Sequence, residues 1–80
     1  MDNDIYNLIA NNIKYYRKKL NYTQMMLAEK SGYSHEFIRR IEAPNSKKNF
    51  SIEAVSNIAK ALDINIELLF EKKDRENSQK

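Results

Sequence analysis

Eighty residues, 41% of them apolar, with a formal net charge of +3 and no cysteine, describe one small domain with a modest core. The missing cysteine excludes a disulfide framework and a thiolate metal site, and it fits a reducing compartment such as the cytoplasm. No apolar run reaches the length of a membrane span, and the opening MDNDIYNLIANN lacks the basic-then-apolar layout of a secretion signal, so a soluble, cytoplasmic chain with no membrane partner is expected. The mildly basic balance makes nucleic acid the first partner to consider.

In chain order, the pattern predicts five helical segments and no strand. The first runs from about Asp4 to Leu20, where Ile5, Leu8, Ile9, Ile13, Tyr16 and Leu20 recur at three- and four-residue steps. Asn21 and Tyr22 interrupt it. Thr23 is a good N-cap for a second helix, QMMLAEKS, which stops at Gly32. Ser34 caps a third, HEFIRRIEA, which Pro44 terminates because proline disfavours a helical residue before it. NSKKN reads as a loop. Ser51 caps the fourth helix, with Phe50 in place to staple onto Val55 and with Val55, Ile58, Ala59 and Leu62 as its apolar stripe. Asn65 caps a short fifth, IELLF, with Ile64 and Leu69 placed for a second staple. Segments this short are unstable alone and must share a core. The expected fold class is therefore all-α: a compact five-helix bundle over residues 1–70, followed by a polar tail, 71–80, with no apolar residue.

The chain's only glycine, Gly32, stands between the second and third segments. Two short helices joined by a turn of three or four residues containing glycine make a helix-turn-helix. Ala28 is small where the two backbones must approach, and Leu27, Tyr33, Ile38 and Ile41 are the apolar positions that pin the pair. Gly32 can take a left-handed conformation without a Cβ penalty. Behind it, His35, Glu36, Arg39 and Arg40 fall at helical spacing on an outward side.

The stretch YTQMMLAEKSGYSHEFIRRIEA, between IKYYRKKL and FSIEAVSNIAKALDINIELLF, resembles the Cro/phage-repressor (Xre-type) helix-turn-helix family over about residues 5 to 70. The shared features are T-Q opening helix 2, L-A inside it, G-x-S before helix 3, I-x-x-I-E ending it, then S-I-E and I-A-K-A-L. The resemblance implies a lambda-repressor-like domain that binds double-stranded DNA with its third helix in the major groove. It puts His35, Glu36 and Arg40 at base edges, with Arg39 alongside them, and Thr23 and Gln24 at a phosphate. It also implies an internal ion pair between Arg17 and Glu42. The chemistry agrees: arginine donates twice to guanine, glutamate accepts from cytosine N4, and histidine donates or accepts at a purine edge. A helix N-terminus attracts phosphate through its free N–H groups. Ser34, Phe37, Lys47 and Lys48 complete the candidate backbone contacts, although Phe37 is equally placed to pack on the core. Lys14, Arg17, Lys18 and Lys19 close helix 1, where they complement its dipole as well as they would a phosphate.

Two departures from the family pattern stand out. Met26 occupies the place where an acidic residue often completes the capping box, and the loop after helix 3 is longer, with proline in place of glycine. A single histidine, no glycine-rich phosphate loop and no nucleophile with a base give no support for an enzyme, a metal, a cofactor or a small-molecule ligand. The expected function is a sequence-specific transcriptional regulator, most simply a repressor. A homodimer is expected, joined through helix 5 around Leu69, its neighbouring loop or the Met25–Met26 edge. The alternatives are a protein-interaction module, such as an antitoxin or adaptor, and a controller that both activates and represses.

Overall fold

Three serine or threonine hydroxyls open three of the helices in the same way. Thr23, Ser34 and Ser51 each hold an extended backbone and accept the N–H of the residue three further on, Met26, Phe37 and Ala54, at 3.0 Å. The computed structural model describes residues 4–44 and 49–72. Within them lie α1 (Asp4–Lys19), α2 (Gln24–Ser31), α3 (His35–Glu42) and α4 (Ile52–Ala61), and no strand. The expectation of five helices needs a correction. Residues Ile66–Phe70 form a 3-10 segment, and Asn65 makes no side-chain cap there. The Leu68 N–H bonds back three residues to the Asn65 carbonyl at 3.0 Å, the tight closure that a segment too short to nucleate an α-helix adopts.

The helices also end by a shared device. After α1, Asn21 takes a left-handed φ of 62°, its N–H bonds to the Lys18 carbonyl, and the Tyr22 N–H reaches the Arg17 carbonyl. After α4, Asp63 at φ 60° repeats the pattern, with Ile64 bonding to Ala59. Gly32, at φ 83°, ends α2, and the N–H groups of Gly32 and Tyr33 both meet the Ala28 carbonyl. These are left-handed C-caps that satisfy otherwise orphaned carbonyls. α3 ends differently: Ala43 is extended, at φ −65° and ψ 130°, because Pro44 follows it.

The core draws on every element: Ile9, Ala10 and Ile13 from α1, Leu27 and Ala28 from α2, Ile38 and Ile41 from α3, Ala54, Val55, Ile58, Ala59 and Leu62 from and just after α4, with Phe50 and Leu69. α2 packs on both α3 and α4, while α1 packs on α3 and the 3-10 segment. The α1 stripe is buried only in its middle, since Ile5 and Leu20 at its ends are 47% and 42% exposed. Leu69 is fully buried, so it belongs to the core and not to a surface available for a dimer contact. Asn12 is fully buried as well, donating through Nδ2 to the carbonyls of Leu69 and Glu71 at 2.9 Å each and so fastening the 3-10 segment to α1. Of the tail read over 71–80, residues 73–80 lie outside the described residues, as do Lys47 and Lys48.

Candidate nucleic-acid interface

α3 is divided lengthwise. Ile38 and Ile41 face the core, whereas His35, Glu36, Arg39 and Arg40 are all exposed and share the opposite side. The corner before α3 enforces this division. Gly32 turns the chain, Tyr33 lays its ring on Phe37 at 4.8 Å between centroids, and its hydroxyl accepts from Asn57 of α4 at 3.1 Å. Phe37 is half-buried against the core, which is the packing role the sequence left open for it. A side chain added at Gly32 would meet nothing within 4 Å, so the glycine is required by the backbone angle rather than by crowding.

On the outer side, Arg39 Nη2 donates to Glu36 Oε1 at 2.6 Å, with both side chains 58% exposed. This hydrogen bond and the adjacent guanidinium charge hold the Glu36 carboxyl below the usual carboxylate range. Glu36 therefore stays ionised, and stays an acceptor, to lower pH than a free glutamate. The pair is solvent-exposed, so either partner can exchange the other for an outside group at little cost.

Beneath this face lies a network that sequence spacing brings out only in part. The Arg17–Glu42 pair implied by the resemblance is present and bidentate. Nε donates to Oε2 at 2.7 Å and Nη2 to Oε1 at 2.8 Å, with Nη1 held by the Tyr22 carbonyl at 2.7 Å. Gln24 joins it, donating from Nε2 to Glu42 Oε1 at 3.1 Å, and its Oε1 lies 3.4 Å from His35 Nε2. The Gln24 side chain, read from sequence as a phosphate ligand, is thus drawn into a chain that runs from the buried Arg17 to the exposed His35. Nothing in the spacing of Gln24, His35 and Glu42 announces that chain, because it depends on how the corner stacks α2 against α3.

Thr23 and Ser34 are exposed, and each spends an oxygen lone pair on its own cap. Their hydroxyl hydrogens remain to donate outward. Met26 partly replaces the missing acidic residue of the capping box: its sulfur lies 3.5 Å from the Thr23 N–H. Met25 and Met26 are 51% and 38% exposed. The other positive groups expected near the interface lie differently. Lys18 and Lys19 are exposed in the last turn of α1, with Lys19 over the Tyr15 ring, and Arg17 is buried in its pair. Among the described residues there is no cluster of three or more potential metal ligands. No helix there is long and apolar enough to cross a membrane.

Two short helices joined by a left-handed glycine corner, the second carrying a polar, charged outer side, define a helix-turn-helix protein. The chain belongs to the helix-turn-helix family of the Xre/Cro type, whose family model matches residues 13–69. It is 34% identical over 67 residues to the HTH-type transcriptional regulator SinR of Bacillus licheniformis, covering 84% of this chain and 60% of that protein. The chain spans about three-fifths of the length of the curated relatives it matches. Among solved structures it resembles the N-terminal DNA-binding domain of SinR from Bacillus subtilis, with a TM-score of 0.74 and 32% identity over 85% of this chain and 97% of that one. It also resembles the restriction-modification controller protein C.AhdI of Aeromonas hydrophila, with a TM-score of 0.73 and 25% identity over 81% of this chain and 96% of that one.

Proposed function

We propose that this chain is a sequence-specific DNA-binding transcriptional regulator, acting most simply as a repressor that occupies a promoter. The observation that carries the reading is the outer side of α3, where His35, Glu36, Arg39 and Arg40 stand exposed on a helix whose other side is locked into the core. In the major groove these side chains read base edges. Thr23 and Ser34, at the N-termini of α2 and α3, bind phosphates through hydroxyl and backbone N–H groups. Lys47 and Lys48 add charge on the backbone. Phe37, with its ring committed to Tyr33, offers only an edge to a sugar. The names of the SinR relatives and the likeness to a SinR DNA-binding domain support the same reading. The protein works in the cytoplasm, without cofactor or catalytic activity.

One such domain touches few bases. A homodimer on two half-sites about one DNA turn, ~34 Å, apart supplies the remainder. The likeness to a restriction-modification controller favours a second reading, in which the same base contacts activate some promoters and repress others according to where the site lies.

Fluorescence anisotropy on the DNA upstream of the protein's own gene, beside a shuffled duplex and across a salt series, tests the reading. A preference of roughly 10³-fold or more, with affinity falling as salt rises, is expected. Equal weak binding to both duplexes moves the search for the site to a random-sequence library. No binding to either at low salt overturns the DNA reading and points to a protein partner at the Met25–Met26 edge.

A further inference from the structure

We propose that Gln24 is a positioning residue that fixes the hydrogen of His35 on Nε2, so that neutral His35 reads the exocyclic amino group of cytosine or adenine and not guanine. This rests on the DNA reading above. The argument starts at the buried pair. Glu42 holds Arg17 through both carboxylate oxygens, and a carboxylate has only acceptors to offer. The Gln24 group 3.1 Å from Oε1 of Glu42 must therefore be its NH2. The reversed amide would set two oxygens against each other. With the amide so oriented, the Gln24 carbonyl is the group facing His35 Nε2 at 3.4 Å. A carbonyl only accepts, so Nε2 carries the hydrogen, and in a neutral imidazole Nδ1 is left with the lone pair.

His35 is exposed at the first position of α3, and the nitrogen not engaged by Gln24 is an acceptor. In the major groove the donors are N4 of cytosine and N6 of adenine; guanine O6 and N7 and thymine O4 only accept. Protonation leaves the Nε2 bond to Gln24 in place and adds a hydrogen at Nδ1, which reverses the preference toward guanine. The charged groups around the imidazole are Glu36, Arg39 and Arg40 on its own helix and, behind Gln24, Glu42 from the end of α3 with Arg17 of α1. Glu36 and Arg39 are bonded to each other, and Glu42 and Arg17 likewise, so the hydrogen-bond partner that the structure gives His35 is Gln24.

The test has two arms. The chain contains one histidine, so long-range 1H–15N correlation on the free protein at about pH 8 reads a single imidazole without ambiguity. The Nε2–H tautomer is expected. Gln24→Lys, whose ammonium donates to Glu42 and to Nε2 alike, is expected to shift the hydrogen toward Nδ1, and Gln24→Leu to release it to the mixture of an unconstrained imidazole. A wild-type Nδ1–H tautomer, or one unmoved by both substitutions, overturns the proposal.

In the second arm, random-sequence duplexes are selected with the wild-type protein at about pH 8, where the tautomer is read, and again at about pH 5.5. One base pair of the enriched site is expected to change from an amino-bearing base to guanine, with relative affinities reversing by about tenfold, and to lose both preferences in His35→Ala. An enriched site identical at the two pH values overturns the proposal while leaving the DNA reading standing. If no sequence is enriched at either pH, the DNA reading itself fails and this inference with it; the tautomer arm, which needs no DNA, still reports separately on the lock.

Discussion

Replacing Glu42 by alanine removes the acceptor for three hydrogen bonds at once: two from Arg17, at 2.7 and 2.8 Å, and one from Gln24 at 3.1 Å. Arg17 is only 7% exposed and would keep the Tyr22 carbonyl as its remaining hydrogen-bond acceptor, leaving a buried cation without a counter-charge. Breaking one partner of such a pair costs about 3–5 kcal/mol. A folded unit of this size has about 4–10 kcal/mol of stability in all. Glu42→Ala is therefore expected to remove between a third and the whole of it. At roughly 4–8 °C per kcal/mol, the melting temperature falls by about 12 °C at the least, and by more than twice that at the upper end. Arg17→Met should be similarly costly, since it strands the carboxylate instead. The double variant Arg17→Met/Glu42→Leu removes both charges, and substitution of a buried pair by apolar groups is often neutral. Urea titration followed by far-ultraviolet circular dichroism on the parent, Arg17→Met, Glu42→Leu and the double variant completes the cycle. If the double variant loses the sum of the two single losses, the pair is not coupled and the reasoning from burial is refuted.

The remaining predictions concern the corner, the buried amide and the outer face. Gly32→Ala should cost about 1–2 kcal/mol in thermal denaturation, because a Cβ resists φ near 83° even though space is open there. Gly32→Asn should cost less than Gly32→Ala, as Asn21 and Asp63 already occupy the same conformation elsewhere in the chain; equal losses would indicate that the angle is not the cause. Asn12→Ala removes the buried amide donor that the Leu69 and Glu71 carbonyls share, so a loss of about 1–3 kcal/mol is expected, together with faster amide exchange at Ile66–Phe70 than in α4. Arg40→Ala should leave the melting temperature nearly unchanged and weaken discrimination at one base pair by about 1–3 kcal/mol in anisotropy titrations; uniform weakening across sequences would make it a backbone contact.

Much of this architecture was legible in the sequence because the signals are local. Thr23, Ser34 and Ser51 are hydroxyl caps directly before helical periodicity, and all three cap as expected. The outward set on α3 was equally readable, since a helix with Ile38 and Ile41 inward has one side left for His35, Glu36, Arg39 and Arg40. Readings that relied on apolar character alone fared worse. Ile5 and Leu20 continue the α1 stripe but run past the ends of the core, while Asn12 falls on the same stripe three residues after Ile9 and is buried despite its polarity. Its position, judged by period rather than by residue type, was the available signal. IELLF carries helical residues but too few of them, so it closes as a 3-10 turn.

What no local signal encodes is the joining of stability to recognition. Gln24 opens α2, His35 opens α3 and Glu42 closes α3, and they meet only because the corner sets the start of α2 beside α3, where one amide reaches His35 on one side and the Arg17-bound Glu42 on the other. One carboxylate thereby serves two purposes: it compensates a buried guanidinium, and it sets the orientation of an amide that faces the outer surface. Substitutions within this chain should accordingly separate by depth. At Glu42 both folding and base preference must change, because the charge and the amide orientation are lost together. At Gln24, half-exposed and outside the ion pair, folding should hold while the preference shifts. A Gln24→Leu protein as stable as the parent, but with altered selection at one base pair, would therefore locate the reading effect in the amide rather than in a general loosening of α3.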